Sequence, residues 1–319
     1  MFRYIITRLI LMVITLFIVV SVMFIATRVA MYHQFSSPGP FGQFFEPVCE
    51  EYFAYIEAVF TRFDWGSDFR GTPVWDTVTA KAPLTIKLNL IAFAVYMTFG
   101  IGFGILSAVK KNSLFDRLFG SITLVIGSIP SFIMIFALII YVGYRFELLP
   151  PIYPIGASEL GFFRLIHAVA IPLIALSLEP LAKMTRLVRS ELLESFDSDY
   201  VLLLTTKGLN QRQVIFRHHI KHSAVSVVPE IAPTFMYVLF GSFFIEMVFN
   251  MQGLANLFFD SLFRPFMSSY YVDIDIETTI LISVFYAVFG MIATLLMDTF
   301  YVLLDPRIKI GSKKASLEG

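Results

Sequence analysis

Cysteine, tryptophan and charge are all scarce in this chain. Of its 319 residues one is cysteine, two are tryptophan and only 15% are charged, against about 25% in soluble globular domains. A single cysteine, Cys49, excludes an intrachain disulfide and any thiolate cluster around zinc or iron–sulfur. The formal net charge is zero, which removes the broad basic field that draws proteins to nucleic acid. No G-x-x-x-x-G-K-[ST] run occurs, so no P-loop in this chain holds ATP. Clustered nucleophile, base and orienting side chains are missing too, and the sequence does not read as an enzyme.

Hydrophobic residues are abundant instead, at 57% of the chain with a mean hydropathy of +0.76. Several uncharged runs reach the ~20 residues needed to cross a bilayer, so the fold class expected is an all-α integral membrane protein. The N-terminus carries Arg3 and Arg8 before Leu9–Thr27, uncharged over 19 residues. That is longer than the roughly 7–15-residue core of a signal peptide, and it reads as a retained first span at 9–30. Further spans are expected at 88–109, 118–144 and 278–304. Two weaker ones lie at 165–187, with His167, Pro172, Glu179 and Pro180, and at 226–248, with Pro229, Glu230 and Pro233. Prolines and acids persist in spans that face protein or a water-filled cavity.

The positive-inside rule selects six spans with both termini cytoplasmic. Sixteen of the twenty-four Lys and Arg then lie inside, including Lys110, Lys111 and Arg117, seven from Lys183 to Lys221, and Arg307 to Lys314. The external loop, 31–83, has seven acids against Arg62, Arg70 and Lys81. Within it Tyr52, Ile56, Phe60 and Phe63 recur at helical spacing with Pro47 suited to a first turn, which predicts a short amphipathic helix. "ELLPPIYP" (147–154) predicts a rigid loop, and "GLANLFFDSLF" (253–263) a second short external helix.

"GIGFGILSA" places Gly100, Gly104 and Ala108 four residues apart inside a span, a pattern for close helix packing rather than for a nucleotide. His218 and His222 are i, i+4, but no Glu lies between them and basic residues surround them, so no metal is expected.

The cytoplasmic segment 190–222 holds "DYVLLLTTKGLNQRQVIFRHHIKHS", which begins at Asp199. Asp199 suits an N-cap, Gly208 an αL terminator, and Asn210 with Gln213 a capping box for a second helix. On that second helix Phe216, Ile220, Ala224 and Val227 form an apolar stripe, with Arg217 and Lys221 turned away. A basic helix on anionic lipid and a docking element for a soluble partner fit this spacing equally. A DNA-binding helix-turn-helix does not, because the stripe runs on into a membrane span.

These residues resemble the permease subunits of ATP-binding-cassette importers, in the oligopeptide, dipeptide and nickel group. Asp199, Tyr200, Val201, Lys207, Gly208, Leu209, Arg217, His218 and Lys221 match that group's EAA loop, whereas Leu204 replaces its usual Ala and His222 its Asn. "FDWGSDFRGTPVWDTVTAKAPLTIKLNLIA" (63–92) is similar to the stretch that leads into its second span. "IEMVFNMQGLANLF" keeps Glu246, Phe249, Gly253 and Leu254 of another segment, with Gln252 for Pro; "MDTFYVLLDPRIK" resembles the carboxy-terminal one. "SPGP" at 37–40 keeps part of the P-G-D-P after the first span.

The resemblance implies one transmembrane domain over 1–319, six helices in the type I importer arrangement, in a bacterial inner membrane. It implies partners: a second homologous permease, two ATPase subunits that hold ATP and Mg, an extracytoplasmic peptide-binding protein, and no nucleic acid. The loop from Asp199 to Leu209 with Arg217 and His218 would dock an ATPase as the coupling helix. Glu179, Glu246, Phe249 and Asp298 are the candidates along the translocation pathway. The cargo implied is peptide; another solute of the same family, such as nickel, glutathione or another small peptide-like solute, is the alternative, and a stand-alone secondary transporter the rival class.

Overall fold

The computed structural model describes residues 2–35, 41–154, 156, 162–196, 210–265 and 272–304. Among the described residues its regular structure is helical, apart from an antiparallel pairing of Arg264–Pro265 with Val272–Asp273 and an isolated antiparallel bridge between Ser67 and Pro73. The chain forms two compact units, Met1–Ile86 with Asn250–Ile292 and Lys87–Phe249 with Ala293–Gly319.

The first unit opens with α1 (Phe2–Phe35) and α2 (Phe41–Arg62). The predicted amphipathic helix is therefore present, but it starts at Phe41 and not at Pro47. Its stripe rests on α1: the Phe24 ring packs against Tyr52 and Tyr55, with centroids 5.7 and 5.4 Å away. The hydroxyls of Tyr52 and Ser21 are 2.7 Å apart, and Arg28 pairs with Glu51 at 2.9 Å. Phe63, expected on the same stripe, instead leaves the helix at φ 54° and packs edge-on against Trp65 and Trp75.

Asp68 organises the following loop by accepting the N–H groups of Arg70 and Thr72. It leads into α3 (Val74–Val109). The predicted second external helix is α10 (Leu254–Leu262), whose first N–H donates to the buried Thr85 hydroxyl at 2.8 Å. Asp275 begins α11 (Ile276–Leu304) by accepting the N–H of Thr278.

In the second unit α4 (Leu114–Ser128) starts at Ser113, whose hydroxyl accepts the Asp116 N–H. The chain breaks at Ile129–Pro130, since proline ends a helical run and restricts the residue before it. It resumes as α5 (Ser131–Ala137), which continues as a π-helix, Leu138–Arg145, bent by 105° from α4. The expected span at 118–144 is thus a bent pair. The Pro-rich loop after it is held tightly: a Cβ on Gly143 would lie 2.6 Å from the Pro151 ring.

Next come α6 (Phe162–Ala168) and α7 (Ala170–Phe196), which together cover the expected span at 165–187. The helix breaks at Val169, and Glu179, Lys183 and Arg186 all fall within the first eighteen residues of α7. Among the described residues four helices are long and apolar enough to cross a membrane, five if the bent pair is one span, and α7 is not one of them.

Gly100 and Gly104 of α3 meet α7 as the small-residue pattern predicts. Added Cβ atoms there would lie 2.9 Å from Met184 Cβ and 2.7 Å from Val188 Cβ. Nearby, the buried Asn89 amide donates to the Ser242 hydroxyl at 3.0 Å.

α8 runs from Gln211–Val214 through a π-helical turn, Ile215–His219, to Ile220–Val227, and a 3₁₀ turn at Pro229 joins it to α9 (Ile231–Val248). The capping box is made as predicted: Asn210 Oδ1 accepts the Gln213 N–H at 2.9 Å, and Gln213 Oε1 accepts the Asn210 N–H at 3.2 Å. The extra residue in the π-turn rotates the later stripe. Val214, His219, Ser223 and Val227 are buried, while Ile220 and Ala224 are only half-buried.

Candidate functional site

Glu179 lies in the middle of α7, where an ionised carboxylate facing hydrocarbon would be costly. It lines a cavity of about 360 Å³ built from three helices of the second unit. From α5 come Ser131, Phe132 and Ile135, the first residues after the break. Leu176, Glu179 and Pro180 come from α7, and Tyr237, Phe244 and Ile245 from α9. The Tyr237 hydroxyl donates to Glu179 Oε2 at 2.7 Å, and Ser131 lies in the same lining. One carboxylate and two hydroxyls therefore converge on an otherwise apolar hollow.

Pro180 follows Glu179 directly inside α7. Proline has no N–H for the preceding turn, and its ring is part of the cavity wall. The other two elements owe their positions to the break at Pro130 and to the apolar helix α9.

The remaining pathway candidates are not brought to this cavity. Glu246, one residue beyond Ile245, is fully buried on another face of α9. Phe249 is also fully buried, and its carbonyl accepts the Tyr153 N–H at 3.3 Å. Asp298 is half-buried on α11.

Of the expected docking residues, Asp199, Tyr200, Val201, Leu204, Lys207, Gly208 and Leu209 lie outside the described residues, as does the side chain of Arg217. His218 is half-buried. The two ends of the segment are joined by a side-chain pair that the sequence did not single out. Ser195, near the end of α7, has its hydroxyl 2.6 Å from Nδ1 of the buried His219, whose ring packs edge-on against Phe196.

Tyr237 and Ser131 were also missed. A phenol in an apolar helix carries little positional signal, but "SIPS" at 128–131 inside a hydrophobic run is a legible sign of a broken span. Arg186 and Arg189 were read only as cytoplasmic charge. They also reach α4, Arg186 to the Thr123 carbonyl and Arg189 to Asp116.

Helices long and apolar enough to cross a bilayer, with a polar cluster beside the break between α4 and α5, mark a multi-pass membrane protein. The chain belongs to the family described as the binding-protein-dependent transport system inner membrane component, which it matches over residues 100–310. It is 31% identical to the dipeptide transport system permease protein DppB of Lactococcus lactis subsp. cremoris (strain MG1363), over 97% of this chain and 100% of that protein. To the oligopeptide transport system permease protein OppB of Haemophilus influenzae it is 26% identical, again over 97% of this chain and 100% of the relative. Among solved structures it is similar to a chain of the MetNI methionine ABC transporter in an inward-facing conformation. That match has a TM-score of 0.54 at 14% identity and covers 73% of this chain and 98% of that one. At this identity the likeness concerns the fold. The resemblance to the permeases of ATP-binding-cassette importers, drawn above from motifs, thus extends over 97% of the chain.

Proposed function

We propose that this chain is the permease subunit of an ATP-driven peptide importer of a bacterial inner membrane. The observation that carries the reading is the similarity to a dipeptide permease over 97% of this chain and the whole of that protein. The polar cavity at Glu179 supports it, because a solute must find partners partway through the bilayer. In this reading residues 1–319 work as one transmembrane domain of six spans with both termini cytoplasmic, and the charged helix α7, facing protein and water, is the fourth of them. The domain pairs with a second, homologous permease.

Two ATPase subunits holding ATP and Mg bind on the cytoplasmic side, and a peptide-binding protein delivers cargo outside. Asp199 to Leu209, with Arg217 and His218, form the coupling element seated on an ATPase. The base of that segment is already braced by Ser195 and His219, as force transmission requires. Glu246 and Phe249 help to close the external end, with Glu179 and Asp298 along the pathway. ATP-driven movement of the ATPases then rocks the spans between inward- and outward-facing states. Co-purification of the tagged chain, followed by reconstitution in vesicles, tests this. The expected result is recovery of a second permease, two ATPases and ATP-dependent peptide uptake; a chain that purifies alone and transports without ATP refutes it.

A further inference from the structure

The cavity at Glu179 has a chemistry that narrows what it holds. It presents one carboxylate, fixed by the Tyr237 phenol at 2.7 Å, with the Ser131 hydroxyl also in the lining. A carboxylate offers about four acceptor positions, of which the phenol takes one. The rest of the wall is Phe132, Ile135, Leu176, Phe244 and Ile245. A divalent cation is poorly served here, since hard cations gather six or more oxygens, usually from several carboxylates. An ammonium group fits better: it has three donors and one charge, and it meets a single carboxylate with hydroxyls beside it. The volume, about 360 Å³, lies within the range of small-molecule sites, ~300–1,000 Å³.

We propose that Glu179, Tyr237 and Ser131 dock the protonated amino terminus of the peptide in transit, while the apolar wall takes its first side chain; the inference rests on the peptide-permease reading above. Neutralising the carboxylate removes one charge-assisted hydrogen bond, about tenfold in preference for a charged amine. The phenol acts as a positioning residue, because it orients the carboxylate.

The test uses the whole complex in vesicles with its binding protein, moving trileucine or N-acetyl-trileucine at saturating binding protein. The readout is the ratio of the two turnover rates, so that any preference of the binding protein is common to every variant and cancels. Glu179→Gln is expected to lower the ratio about tenfold, Tyr237→Phe about threefold, and Glu179→Asp to restore part of it. If Glu179→Gln fails to assemble, Tyr237→Phe and Glu179→Asp carry the test. A ratio equal to wild type in the assembled variants, with both peptides slowed alike, marks the cluster as structural and overturns the inference. A wild-type complex that moves neither peptide overturns the peptide reading itself, and the two failures are therefore distinct.

Discussion

Arg189 grips Asp116 with both arms of its guanidinium, Nε to Oδ1 at 2.6 Å and Nη2 to Oδ2 at 2.9 Å. Asp116 is 3% exposed, and it also accepts the N–H of Asn112, which sits at φ 64° in the tight turn before α4. The turn after α3, the start of α4 and the lower half of α7 are thereby tied at one point. Asp116→Asn should lower stability by roughly 1–3 kcal/mol, since it leaves a guanidinium facing a neutral amide. Arg189→Lys should do nearly as much harm, because a point charge cannot reproduce a two-point grip. Thermal unfolding of the purified protein in detergent checks both, and a midpoint unchanged in both variants would refute the pair's importance.

Close packing at Gly104 makes a sharper test. The site of its missing Cβ is 2.7 Å from Val188 Cβ and 2.9 Å from the Thr185 carbonyl, whereas nothing lies within 4 Å of Gly102. Gly104→Ala should destabilise by about 1–3 kcal/mol through overpacking, and Gly102→Ala should be neutral. Comparable yields and melting temperatures for the two variants would contradict the packing.

Cys49 is a built-in reporter of sidedness. It is exposed on α2, in the segment assigned to the outside. A membrane-impermeant maleimide should label it in intact spheroplasts with no engineered cysteine present. In a Cys49→Ser background, cysteines at Arg62 and Glu159 should also label from outside, whereas those at Lys111, Lys207 and Lys314 should label only after lysis. External labelling at position 207 would reverse the orientation.

Glu246 is fully buried in α9, and in the function proposed above it helps to close the external end; Glu246→Gln keeps its volume and changes only its charge. Glu246→Gln is expected to reduce uptake per complex several-fold. Normal uptake at full expression would reduce the residue to structural background.

Gly208 is read from the sequence as the αL residue that ends a helix of the proposed coupling element. A valine there meets a steric cost of about 1–2 kcal/mol, small against the surface buried by the spans. Gly208→Val should therefore insert and pair normally but lose uptake per ATP hydrolysed. Asp199→Ala should act more mildly, through loss of an N-cap of ~1 kcal/mol. Wild-type coupling in Gly208→Val, measured as ATP turnover against uptake in the same vesicles, would return this loop to a lipid-surface role.

What the sequence determined by itself is whatever depends on local pattern and composition. Hydropathy alone announced helices across 9–30, 88–109 and 278–304, because a bilayer admits little else. Asn210 and Gln213 announced their capping box, because both partners lie within one turn. Gly100 and Gly104 announced a close helix contact, though not its partner. The tertiary structure decided which residues met across the chain. Tyr237 reaches Glu179 over 58 positions and Arg189 reaches Asp116 over 73, separations at which periodicity carries no information. It also decided the bend after α4 and the rotated stripe of α8, where a proline and one extra residue in a helical turn redirect every side chain that follows. A carboxylate in an apolar helix marks a place where something polar must come; only the packing of α5, α7 and α9 says that the arrivals are a phenol and a serine at the edge of a cavity.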